Sequence, residues 1–151
     1  MPLFDLGHDL KVSQSLGADL ENAYRMSRRI LESYGQQGYT VRFDQEREFT
    51  ELQATFSDRD GTRITAAVKV REAGSARSQL EIRLTGKVYV GGMKGALASD
   101  SKVQSVAKDM LLKEIKKAMR DNGLTAALHV ILQREQIYAY HQQQAGRTLQ
   151  A

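Results

Sequence analysis

Between Tyr39 and Val90 the chain alternates apolar and polar residues in four successive runs. Tyr39, Val41 and Phe43 are interleaved with Thr40 and Arg42, and Leu52, Ala54 and Phe56 with Gln53 and Thr55. Ile64, Ala66, Val68 and Val70 then alternate with Thr65 and Lys69, and Leu80, Ile82, Leu84, Val88 and Val90 with Glu81, Arg83 and Lys87. A period of two gives a strand one dry face and one wet face. The connectors at 44–48, 57–61 and 72–78 are too short to hold a crossover helix, so neighbouring strands run antiparallel. The pattern predicts a four-stranded antiparallel meander, with room for a short fifth strand around Leu10–Val12.

Helical periodicity flanks this block. Asp19 is suited to cap a helix whose apolar arc holds Leu20, Ala23, Tyr24, Ile30, Leu31 and Tyr34, and Gly35 and Gly38 end it. After the glycine-rich Gly91–Gly95, Ser99 or Asp100 can cap a second long helix. Its stripe is Val103, Val106, Ala107, Met110, Leu111, Ile115 and Ala118, and Asn122-Gly123 stops it. A third helix is expected from Leu124 to about His141, followed by a frayed glutamine-rich tail.

These elements define an α+β fold: the meander, two long helices on one of its faces, and an additional C-terminal helix. Residues 1–123 make a single α+β domain, and 124–151 an amphipathic helix and tail that serve as an association segment. Over residues 19–122 the element order is similar to that of helix-grip folds. That likeness implies a helix lying on a sheet, and element order alone carries no function.

Composition narrows the chemistry. The 151 residues include no Cys, which excludes disulfides, thiolate metal sites and Cys nucleophiles. No stretch approaches the length of a membrane span, and no secretion signal opens the chain, so a cytoplasmic protein is expected. The net charge of +4 is unevenly spread. Residues 1–75 carry 10 basic and 12 acidic side chains, and residues 76–151 carry 12 and 6. Such an excess, centred on residues 77–120, can attract nucleic acid or another anionic surface.

The candidate sites are few. Gly91–Gly95 joins a strand to a helix but matches neither the P-loop nor the dinucleotide pattern. Asp58-Arg59-Asp60-Gly61 resembles the start of a calcium loop without its closing ligands, and reads as a hairpin turn. His8, His129 and His141 lack metal-ligand spacing, so neither a metal nor a cofactor is expected. The acids Asp44, Glu46, Glu48 and Glu51 read as a solvated turn. Glu114 interrupts the second helix's apolar stripe and Glu135 the third's, and each needs a partner or an edge position.

Three functional expectations follow. The first is a non-catalytic interaction module, forming a homo-oligomer or docking a protein partner. It would use the second apolar side of the third helix, at Val130 and Ile137, with Tyr138 and His141 beside them. The second is a binder of an apolar small molecule between sheet and helices, with Glu114 or Tyr24 as the polar contact. The third is a nucleic-acid or anionic-surface binder that uses the basic excess over residues 77–120, with Arg63, Lys69, Arg71, Arg83 and Lys87 on the wet face of the sheet as a basic face. No catalytic constellation appears, so an enzyme is not expected.

Overall fold

A computed structural model describes residues 3–91 and 100–150, leaving aside the side chains of 149 and 150. Among the described residues it is an α+β protein with six strands and four α-helices. The strands are β1 (Leu3–Asp5), β2 (Lys11–Leu16), β3 (Thr40–Arg47), β4 (Glu51–Ser57), β5 (Arg63–Glu72) and β6 (Ser78–Tyr89). Helix α1 (Leu20–Ser33) lies between β2 and β3, and α2 (Ser101–Asn122), α3 (Leu124–Leu132) and α4 (Arg134–Gln150) follow β6. The chain packs as two compact units, one spanning Asp5–Val88 and one that joins Phe4 to Tyr89 and helices α2–α4.

In the first unit the meander β3–β4–β5–β6 is antiparallel throughout. The sheet has six strands where the alternation predicts four and room for a fifth. Both β1 and β2 pair with β6, on the edge that β5 leaves open. The short strand expected around Leu10–Val12 is β2, which runs on to Leu16 through a mostly polar segment, whereas three-residue β1 escapes the period-two reading. The dry face holds Leu52, Ala54, Phe56, Ile64, Ala66, Val68, Leu80, Ile82 and Leu84, all buried. Phe56 takes Tyr34 and Tyr39 edge-on against its ring. Each large side chain buried here contributes about 1.5–3 kcal/mol.

Helix α1 packs on β4 and β5. Asp19 caps it, accepting from the Asn22 N–H at 2.8 Å. Its buried residues are Ala23, Tyr24, Ser27 and Leu31, and the Ser27 hydroxyl is satisfied by the Ala23 carbonyl at 2.9 Å. Ile30, at the edge of the arc the periodicity assigns it, is exposed.

In the second unit α2 packs against both α3 and α4. Its buried line is Val103, Ala107, Leu111, Ile115 and Met119, while Val106 and Met110 stand on the surface. Asp100 caps α2 through the N–H groups of Lys102 and Val103. The single helix expected over 124–141 is two helices, interrupted at Gln133. There the Gln133 N–H turns back to the carbonyls of His129 and Val130, a helix end made without glycine or proline. The tail expected to fray is helical to Gln150, and Gln142 and Ala145 on it are buried. Gly92–Gly95 and Ser99 lie outside the described residues.

One glycine is required by strand packing. Gly86 has φ +120°, and a Cβ there would collide with the Arg63 carbonyl and the Ile64 backbone on β5. Gly86→Val should therefore cost about 2–4 kcal/mol in urea unfolding, from strain plus overpacking. A variant as stable as the parent would show that β6 does not approach β5 this closely.

Candidate anion-binding face

The dry residues of β2, β5 and β6 point one way, so their neighbours point the other. The outward positions on these strands carry six cations, Lys11, Arg63, Lys69, Arg71, Arg83 and Lys87, against one carboxylate, Glu81. Strand register arranges them in rows. Lys11 lies directly opposite Arg83, and Arg63 directly opposite Lys87, so both pairs bring like charges together. Between those rows lies one of hydroxyls, in which Thr85 faces Thr65 and Thr65 faces Thr55.

Glu81 is opposite Lys69 but gives its carboxylate to the Arg71 guanidinium. Among the described residues, the side chains of Lys11, Lys69, Arg83 and Lys87 form no ion pair. The charges of Lys11, Arg83 and Lys87 are therefore uncompensated by direct contact, whereas Lys69 stands in register between Glu51 of β4 and Glu81. A groove of about 470 Å³ opens on this face, lined by Lys11, Ser13, Ala67, Lys69, Glu81 and Arg83. Ser13 and Ala67 are short beside the long side chains of Lys11, Lys69, Glu81 and Arg83.

The far margin of the face is neutralised. A register shift in β3 between Phe43 and Gln45 leaves Asp44 unmatched, and its carboxylate accepts from the Thr55 hydroxyl and from Arg42 Nε at 2.7 Å. The Thr55 hydroxyl lies 3.3 Å from that of Thr65. The bond from Thr55 holds the Asp44 carboxyl below its ordinary value of 3.8, aided by Arg42 and Arg63 and opposed by desolvation. Glu46, in register with buried Leu52 and so on the helix side of the sheet, pairs with Arg28 of α1 at 2.6 Å.

The remaining candidates stand elsewhere. Tyr24 is buried against the edge of Phe49, with its hydroxyl's acidity weakened by burial and by Glu46. Glu114 belongs to the helical unit, half-exposed, and its Oε1 lies 2.5 Å from His141 Nε2, tying α2 to α4. Glu114 and Tyr24 belong to different units, and each is engaged within its own. Glu135, at the first turn of α4, accepts from the Gly91 N–H at 2.8 Å. Asp58 closes the hairpin turn by accepting from the N–H groups of Asp60 and Thr62.

Of the residues assigned to a partner, Tyr138 and His141 are buried inside the helical unit, Tyr138 against the Phe4 ring at 5.3 Å between centroids. They offer no surface to a partner, because the helix break at Gln133 turns α4 so that Tyr138 packs inward. Val130 and Ile137 remain half-exposed. Sequence reasoning missed Lys11 and the groove. The cross-strand pairing of β2 with β6 creates both, and the polar β2 segment gives no apolar alternation to announce it. Among the described residues no cluster of three or more His, Asp or Glu could hold a metal ion. No described helix is long and apolar enough to cross a membrane.

No protein-family model matches the chain, and no curated protein does either. Among solved structures it is similar to CalU16 from Micromonospora echinospora, with a TM-score of 0.44 and 8% identity over 100% of both chains. It is also similar to DR_A0006 from Deinococcus radiodurans, with a TM-score of 0.39 and 10% identity over 50% of this chain and 81% of that one. TTHA0849 from Thermus thermophilus has a TM-score of 0.37 and 10% identity over 88% of this chain and 96% of that one.

Because its folded-state value is lowered, Asp44 adds stability above pH 3.8, and that contribution is lost as pH falls through the folded value. Thr55→Val should move the Asp44 titration, followed by carboxylate NMR, upward toward 3.8. An unmoved midpoint would mean that Thr55 is not the donor responsible.

Proposed function

We propose that this chain is a non-catalytic binding module, acting in the cytoplasm, that holds an anionic partner on the outward face of its sheet. One observation carries the reading: two cross-strand pairs of like charge, Lys11–Arg83 and Arg63–Lys87, stand on one face with one row of hydroxyls between them. Like charges directly opposite one another in a sheet destabilise it by a fraction of a kcal/mol to about 1 kcal/mol per pair. A bound anion reverses the sign of that term, since it attracts both members. The groove beside Lys11 and Arg83 gives such a partner a place to seat.

Association of copies through the C-terminal segment is a second reading. Half-exposed Ile137 favours it, with Tyr140 one turn on and 57% exposed. Light scattering decides it: Ile137→Glu should lower the mass of an assembled chain, and monomeric mass in both chains rejects the idea.

The lead reading is tested on a phosphate-bearing cation-exchange resin. The parent chain should bind at about 50 mM salt and be released by about 200 mM, as ionic contacts are displaced. Arg83→Glu with Lys87→Glu should elute much earlier, whereas Lys102→Glu with Lys113→Glu, an equal change of net charge on exposed positions of α2, should shift elution little. Equal shifts for the two pairs would reduce the binding to net charge and overturn the reading.

A further inference from the structure

We infer that the anionic partner is the sugar–phosphate backbone of a single-stranded nucleic acid, laid along β6 on the outward face. This rests on the binding reading above and adds the ligand class. Along β6 the outward sequence is Arg83, Thr85, Lys87, and each is matched on a neighbouring strand: Arg83 by Lys11, Thr85 by Thr65, Lys87 by Arg63. The face therefore repeats cation pair, hydroxyl pair, cation pair. The two charged rows are four residues apart, about 13 Å at 3.3 Å per residue. A compact anion reaches only one of those rows. A chain with phosphates at regular intervals and sugar oxygens between them meets all three.

An acidic peptide fits less well. Laid across the face, it would bring backbone N–H and C=O groups onto side chains, away from the open strand edges that the described residues leave at β2 and β3. The groove floored by Ala67 and Ser13 distinguishes single from double strands. A slot beside a cation pair has room for a base or sugar turned away from the backbone, and a duplex keeps its bases inside. The outward positions of β2, of β5, and of β6 up to Lys87 hold no aromatic ring, and Tyr89, the last residue of β6, belongs to the helical unit. Base stacking, worth about 1–3 kcal/mol per base, has no ring to use at these three rows, and affinity there is ionic and independent of base sequence.

Fluorescence anisotropy with a labelled oligothymidylate tests this. A length of about 20 nucleotides exceeds the roughly 4–16 that such a site occupies. Four neutralised phosphates predict a slope of log K against log salt near about −3, at about −0.7 per phosphate. Replacing Arg63 and Lys87 by Gln should cut that slope by about half. Ala67→Phe, which fills the slot and keeps every charge, should weaken oligothymidylate binding several-fold. Thermal melts confirm that each variant is folded. Resin binding without oligothymidylate binding, or equal affinity for a duplex of the same length, overturns this inference and leaves the binding reading standing. Loss of both would overturn both.

Discussion

Strand β6 is the element on which the sheet unit depends. It pairs with β5 along one edge from Ser78 to Lys87, and with β2 and β1 along the other. With both edges occupied, its side chains have only two directions. Leu80, Ile82, Leu84 and Val88 must go inward because nothing else fills the core at those rows, so Glu81, Arg83, Thr85 and Lys87 must go outward. A slip of one residue would bury two cations and expose four aliphatic side chains, which is why the register is strongly specified. The charged face is thus a direct consequence of core packing. Gly86 belongs to the same constraint, since its missing Cβ lets β6 come close enough to β5 for Lys87 to stand opposite Arg63.

The sheet was legible wherever one face is continuously apolar. Strands β3 to β6 carry that signal, and the outward position of Arg63, Lys69, Arg71, Arg83 and Lys87 follows from parity alone. Lys11 was not legible, because β2 borrows its order from β6: Val12 and Leu16 are only half-buried, and backbone pairing holds the strand where a hydrophobic face would otherwise be needed. The helical unit shows the same limit. Glu114 in an apolar stripe announces that a partner is needed, but His141 lies 27 residues away and only the packing of α4 on α2 brings it there. The break at Gln133 leaves no glycine or proline to mark it.

Charge counted along the chain misleads in a related way. The basic excess lies in the second half, centred on residues 77–120, yet four of the six outward cations, Lys11, Arg63, Lys69 and Arg71, come from the half that is net acidic. Several acids of that half are paired locally: Asp44 by Thr55 and Arg42, Glu46 by Arg28, Glu21 by Arg25, Glu32 by Arg28. Folding sorts the two signs by pairing one set and aligning the other. What a distant anion meets is therefore set by topology, and linear charge density is a poor guide to it.

On the proposed reading, this arrangement fixes the character of the binding. Exposed Lys and Arg side chains keep their hydration and their rotamer freedom until a ligand arrives, so each contact is weak and its strength falls with salt. Cations held in rows act over a longer distance than a single pair, which favours rapid capture over tight retention. The stability given up to like-charge opposition is small beside the burial of Phe56, Ile64, Leu84 and their neighbours on the other face. The two faces of one sheet can thus serve opposite ends: the dry side supplies a surplus of stability, and the wet side spends a little of it to hold positive charge in register.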